Sequence, residues 1–107
     1  MKFDLLKLTK EFNKIQEEIK KIQENIQAEG SAGGGIVKAV ADGTGNIISI
    51  EINPEFLQGP ELDREMLQDL IVAAVNSAIA QAKDQLQKEL QKLIGLPLSG
   101  FFPPNWP

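Results

Sequence analysis

The residues best suited to chemistry in this chain are five of the six lysines within its first 21 positions. Lys7, Lys14 and Lys21 stand seven residues apart, and in a helix this spacing aligns them along one side at intervals of about 10.5 Å. Lys10 and Lys20 lie outside that row, on other sides of the same helix. Lysine carries a mobile point charge that binds phosphate, whereas bases are usually distinguished by arginine, asparagine or glutamine. The row therefore suits an anionic backbone, since a duplex offers a phosphate about every 3.4 Å along each strand.

The same lysines also have an ordinary structural explanation. Charged residues away from an apolar stripe usually form a solvated helix surface, and pairs such as Glu17 with Lys21 stabilise a helix at i,i+4 spacing. The whole chain carries a net charge of −4, which disfavours nucleic acid, although residues 1–14 hold four lysines against two acids. The residues alone leave phosphate binding and a solvated surface both open.

Composition excludes most other chemistry. The 107-residue chain has no cysteine and no histidine, so it lacks thiolate nucleophiles, imidazole bases, disulfides and the usual zinc ligands. Its serines have no histidine to activate them, and its carboxylates are spread along helix faces instead of being grouped. We expect no catalytic activity, no metal, no cofactor and no small-molecule substrate. No apolar run is long enough for a membrane span and the N-terminus does not resemble a signal peptide, so we expect a cytoplasmic protein with no membrane partner.

An apolar seam accompanies the lysine row. Its seven residues recur at alternating steps of three and four, a strict a/d heptad pattern: Leu5, Leu8, Phe12, Ile15, Ile19, Ile22 and Ile26. The pattern predicts a helix over about residues 3–27, roughly 37 Å long, whereas a compact chain of this length is only about 34 Å across. Its own chain is therefore too small to cover the seam. We expect a homodimer, with these seven residues at its interface.

Two β-branched runs follow the stretch AEGSAGGG, whose glycines end the helical pattern. The runs IVKAVA (36–41) and IISIEI (47–52) flank DGTGN, and this arrangement predicts a β-hairpin. The second run alternates, so Ile48, Ile50 and Ile52 are expected on one face. Because two strands alone are marginal in water, the sheet needs a further strand or a covering helix.

A second long helix is predicted to begin near Asp63, which would cap it, and to stop at Gly95 and Pro97. Its first half has a broad apolar face suited to lying on a sheet, and its second half a thinner one that indicates an overhang. The tail at 96–107 is rich in proline and aromatic residues and is predicted to be neither a regular helix nor a central strand. It either covers apolar grooves of the body or docks a partner in an extended form.

Four stretches form a recognisable set. They are G-x-V-K-A at 35–39, I-x-I-x-P at 50–54, D-x-E-M-L-x-D-L at 63–70 and AAVNSA at 73–78. Together they resemble the YbaB/EbfC family of nucleoid-associated proteins, and the resemblance covers nearly the whole chain. It implies a two-layer α-β-β-β-α fold of the α+β class, with a three-stranded antiparallel sheet whose additional strand lies near 26–31. It also implies a tweezer-like homodimer with long projecting N-terminal helices, DNA as the partner, and no catalysis.

On this resemblance, the expected DNA-binding residues are Lys7, Lys10, Lys14, Lys20 and Lys21. They belong to a DNA-binding domain of residues 1–95, followed by the tail at 96–107. Binding should be weak, salt-sensitive and of low sequence specificity, in the cytoplasm and nucleoid, with an influence on nucleoid organisation and gene expression. Some relatives carry arginines where this chain has IISIEI and SAIAQAK, so the N-terminal arms must carry more of the binding here. The alternative is a dimeric coiled-coil protein without physiological DNA binding, which holds a protein through the arm gap or the FFPPNWP tail.

Overall fold

The computed structural model describes residues 4–59 and 63–94, which form an α+β fold of two layers. The elements in chain order are α1 (Leu5–Asn25), β1 (Ala28–Ala32), β2 (Val37–Ala41), β3 (Ile47–Ile52), the short α2 (Pro54–Gln58) and α3 (Arg64–Ile94). This order and the antiparallel sheet confirm the expected fold, including the additional strand before the hairpin. Among the described helices, none combines the length and the apolar character that a membrane crossing requires. The expected helix stop at Gly95 and Pro97 and the tail at 96–107 lie outside the described residues.

α1 projects from the body, and none of its residues is buried. Asp4 caps it, because the Asp4 Oδ1 accepts the backbone N–H of Lys7 at 3.2 Å. Ile26 ends it in an extended conformation, φ −73° and ψ 130°, which directs the chain into β1. The radius of gyration is 19.2 Å, against about 13 Å for a compact chain of this length. The molecule is therefore elongated.

β2 is the central strand and pairs antiparallel with both of its neighbours. Directly opposed residues share a face of the sheet. Val37 and Ala39 of β2 therefore lie on the same side as Ile52 and Ile50 of β3, which are their register partners. That side faces α3.

A bulge interrupts the pairing of β2 with β3. The register shifts between Val40 and Ala41, so that Ile47 stands opposite Ala41. Ile47 consequently packs against the core, whereas Ile48 is 52% exposed. The expected strict alternation of β3 is wrong at its first two residues, because the extra residue of a bulge reverses which face the side chains occupy.

Small side chains let α3 lie very close to β1 and β2. The buried core consists of Ile26, Ala28, Val37, Ala39, Ala41, Ala74, Ala78 and Ala82. The closest approach is at Gly30, where a Cβ would lie 2.6 Å from the carbonyl oxygen of Ala74 and 2.7 Å from the carbonyl carbon of Ser77. This contact explains why AEGSA, a poor strand sequence by propensity, forms β1: only a residue without a side chain fits under the helix.

Short polar side chains organise the connections. Asp42 Oδ1 accepts the backbone N–H groups of Thr44 at 2.9 Å and Asn46 at 3.1 Å, and the Thr44 hydroxyl at 2.6 Å. The Thr44 hydroxyl, with these N–H groups, holds the pKa of the Asp42 carboxyl below its ordinary value. This network confirms the predicted hairpin. Asn53 caps α2, a short helix that was not predicted from the sequence. Asp63 caps α3 as predicted, because its side chain accepts the backbone N–H of Glu65 at 2.9 Å.

Candidate nucleic-acid interface

The burial of the seam residues of α1 decreases from the C-terminal end of the helix to its N-terminal end. Ile26 is buried in the core, Ile22 packs against that core, and Ile19 is half-buried. The four seam residues nearest the N-terminus are between 50% and 65% exposed: Leu5, Leu8, Phe12 and Ile15. A single copy therefore covers only the base of the seam. We name the uncovered part of α1, Leu5–Glu18, the arm.

Three of the expected DNA-binding lysines stand on the arm. Lys7, Lys10 and Lys14 are all exposed and lie three and four residues apart, which makes them neighbours on the helix surface. Like charges at this spacing destabilise a helix by a few tenths of a kcal/mol, a cost that a bound anion would remove. At about 100° per residue, this trio is turned roughly 130° away from the seam. The arm can therefore present charge to one partner and apolar surface to another.

The other two lysines have a different setting. Lys21 lines a cleft of 520 Å³ between α1 and α3, and Glu18 and Glu89 line the same cleft. Lys20 lies about 120° around the helix from Lys14 and is not part of the row. The five candidate lysines thus form two groups, an exposed trio on the arm and a pair near the body. Within the pair, Lys21 shares its cleft with Glu18 and Glu89.

Three lysines elsewhere in the described part of the chain have an acidic neighbour. On α3, Lys88 Nζ lies 2.9 Å from the Asp84 carboxylate and Lys92 Nζ lies 3.2 Å from that of Glu89. On the open face of the sheet, Lys38 stands directly opposite Glu51 in the register. Within residues 4–59 and 63–94 both ion pairs are on α3, and none involves the arm trio. The trio is therefore a group of three exposed lysines, none of which is in an ion pair in this part of the molecule.

The base of α1 is positioned by a contact that the sequence did not indicate. The backbone N–H of Gly43, in the hairpin turn, donates to the carbonyl oxygen of Gln23 at 2.8 Å. A Cβ at position 43 would lie 2.8 Å from the Cα of Gln23, so glycine is needed for this approach. DGTGN indicated only a turn, because nothing local shows which element the turn touches.

The described acids form no group of three or more that could hold a metal ion.

The chain is similar to known proteins along almost its whole length. The sequence model of the YbaB/EbfC DNA-binding family matches residues 1–96. A nucleoid-associated protein of Desulforamulus reducens is 48% identical over 100 residues, which is 90% of this chain and 93% of that protein. Another from Pelotomaculum thermopropionicum is 46% identical over 103 residues, 92% of this chain and 96% of that protein.

A solved structure has the same fold. The uncharacterized protein HP0035 from Helicobacter pylori superposes with a TM-score of 0.65 at 18% identity, covering 88% of this chain and 100% of that one. The matching family is a DNA-binding family. With nearly the full sequence matched by its model and by relatives of this identity, the chain belongs to the YbaB/EbfC DNA-binding family.

Proposed function

We propose that this protein is a nucleoid-associated DNA-binding protein that acts as a homodimer and contacts DNA phosphates through the lysines of its N-terminal arms. The observation that carries the proposal is the exposed trio Lys7, Lys10 and Lys14 on a helix that projects from the body. The family and the names of the relatives support DNA and the nucleoid as partner and location. Lys20 and Lys21 are assigned a secondary part, near the base of the arm.

The mechanism is contact with the phosphate backbone without recognition of bases. Lysine side chains are flexible point charges, and phosphates recur every few ångströms, so the trio can follow a strand in many registers. The arm offers no arginine, the side chain that most often makes specific contacts to guanine. Binding is therefore weak, tolerant of sequence and suited to coating or bridging DNA, through which it influences nucleoid organisation.

A second copy would cover the seam that one copy leaves exposed. Pairing would bury the exposed seam residues Leu5, Leu8, Phe12 and Ile15, and Ile19 toward the base. Each Å² of apolar surface that is removed from water stabilises the dimer by about 25 cal/mol. Ile22 and Ile26 support that interface from within their own chain, since they pack in its core. The dimer carries two lysine trios, and its net negative charge repels DNA from the body. That repulsion favours approach through the arms.

Salt dependence is the direct test of phosphate binding. Three lysines per chain give six contacts per dimer, for which log K should fall against log salt with a slope of about −5. Between about 50 and 200 mM salt the affinity for duplex DNA should therefore drop by about 10³-fold. Fluorescence anisotropy with two duplexes of unrelated sequence measures this slope and should give similar affinities for both.

Two results would contradict the proposal in different ways. A slope near zero would remove phosphate contacts as the source of affinity. No binding even at low salt would instead favour the alternative of a dimeric protein that holds a protein partner.

A further inference from the structure

The cleft between α1 and α3 is a concave surface that phosphate contacts by the arm trio do not use. We call it the α1–α3 cleft. Its volume is 520 Å³, and pockets that bury a drug-sized molecule measure about 300–1,000 Å³. Ile22 and Ile26, at the base of the seam, give it an apolar floor. The cleft is therefore large enough to bury aromatic side chains against these isoleucines.

The charges around the cleft cancel. It opens beside the charged half of α3, residues 83–92, which holds five charged residues. Glu89 is paired with Lys92, whose Nζ lies 3.2 Å from the Glu89 carboxylate. The other charged lining residues are one acid and one base, Glu18 and Lys21. Such a surface has no net charge to attract either phosphate or a cation, so a neutral occupant suits it.

The rim of the cleft is rich in amide groups. Asn25, Gln27 and Gln85 line the cleft and are exposed, and each NH₂ group offers two N–H donors. A proline-rich segment in an extended form makes no internal hydrogen bonds, and its prolines have no N–H groups. Its carbonyl oxygens therefore need donors from the surface that receives it, and the amides of the rim supply them.

A segment with these properties belongs to the same chain. The tail, residues 96–107, contains no charged side chain, four prolines and three aromatic residues. It comes almost directly after α3, which is described as far as Ile94. A buried aromatic side chain removes about 150–250 Å² from water, so the rings of the tail would cover the floor of the cleft.

The tail is long enough to reach the cleft. Gln85 stands nine residues before Ile94, which places it about 13.5 Å back along α3. Phe101 follows Ile94 by seven residues, which span up to about 23 Å when extended. The difference leaves length for the chain to reverse its direction, and the residues that favour turns are present at Gly95 and Pro97.

We propose that the tail of this chain folds back into its own α1–α3 cleft, with its aromatic side chains over Ile22 and Ile26. The inference depends neither on DNA binding nor on the homodimer, because the cleft lies within one copy. A short connection holds the tail at an effective concentration in the millimolar range. Its own cleft is therefore favoured over that of a second copy at micromolar concentration.

A tail in the cleft would fix the direction of α1. α1 is joined to β1 by only two residues, and the hydrogen bond from Gly43 to Gln23 holds its last turn. Direct contact between α1 and α3 is sparse. An occupant that touches both helices would join them further from the base, and would hold the arm trio in a constant position relative to the body.

The fluorescence of Trp106 reports on the tail, because the chain has one tryptophan and no tyrosine. In the full-length protein we expect emission at a shorter wavelength, and weaker quenching by acrylamide, than in a free peptide of residues 96–107. Both properties should be independent of protein concentration. Emission equal to that of the free peptide would overturn the proposal. Emission that becomes peptide-like on dilution would show binding by a second copy and would contradict docking within one chain.

Isosteric changes on the rim locate the contact. Gln27→Glu with Gln85→Glu keeps the shape of the cleft but replaces two amide donors with carboxylates, which only accept. The emission and quenching of Trp106 should then shift toward those of the free peptide. Gln16→Glu with Gln68→Glu adds the same charge at two exposed positions outside the cleft and should leave Trp106 unchanged. An equal response to both pairs, or to neither, would exclude the cleft as the docking site.

A change in the tail itself gives a second test that leaves the cleft intact. Phe101→Ser with Phe102→Ser removes two of the rings at positions outside the described fold. In NMR spectra of the full-length protein, we expect the amide signals of Lys21 and Gln85 to shift and that of Ile48 to stay. Shifts confined to the tail would mean that its rings do not contact the cleft.

Discussion

Changing Lys7, Lys10 and Lys14 together to glutamate should reduce the affinity for duplex DNA by about 10³-fold or more at low salt. The change removes all six proposed phosphate contacts of the dimer and replaces each with a repulsive charge. The slope of log K against log salt should become much smaller in magnitude than about 5, because only the secondary contacts of Lys20 and Lys21 can still release counterions. All three side chains are exposed and make no ion pair in the described structure, so thermal stability should change little.

A second triple variant controls for net charge. Lys38→Glu, Lys88→Glu and Lys92→Glu alter the total charge by the same amount, at three exposed positions away from the arm. If long-range attraction alone governs binding, both triple variants lose affinity equally. If the arm is the site, the second triple keeps most of its affinity and most of its salt slope. Equal loss in the two variants would therefore contradict an arm site.

Gly30→Ala should destabilise the fold by about 3 kcal/mol or more, at the upper end of overpacking effects. The added methyl group would overlap the backbone of α3 at Ala74 and Ser77, and a helix backbone cannot move aside as a side chain can. In thermal unfolding, this corresponds to a fall of the midpoint by about 10–20 °C for a domain of this size. Differential scanning calorimetry at one fixed protein concentration measures it.

Gly34→Ala is the matched control for that change. Gly34 has φ +68° and no atom within 4 Å of the position a Cβ would take, so alanine there meets only the backbone cost of a left-handed conformation, about 1 kcal/mol. The comparison separates steric overlap from backbone strain. A Gly30→Ala protein as stable as Gly34→Ala would show that α3 does not lie against β1 as closely as described.

Periodic segments of the sequence predicted their structures well. The seam of α1 and the apolar face of α3 are long repeats, so both helices could be predicted to within two residues at their described ends. The hairpin was predictable because Asp42 and the following glycines supply local turn chemistry. In each case the cause of the structure lies within a few residues of the element itself.

The parts that the residues alone did not predict depend on contacts between elements. β1 contains no β-branched or large apolar residue, and Gly30 fits under α3 there. Only the family resemblance placed this strand in advance. The bulge beside Ile47 depends on how β3 pairs with β2. The candidate DNA-binding site was likewise predicted only in part. The lysine positions are visible in the sequence, but the separation of the arm trio from Lys21 depends on where the body ends.

The central claim is that DNA phosphates lie against the arm lysines, and an NMR titration of labelled protein with a short duplex tests it most directly. At low salt, we expect the largest shifts and line broadening at Lys7, Lys10 and Lys14 and their neighbours, with the changes reversed on adding salt. The open sheet face and the charged half of α3 should remain unaffected. Perturbations centred on β3 or α3, with the arm signals unchanged, would contradict the account.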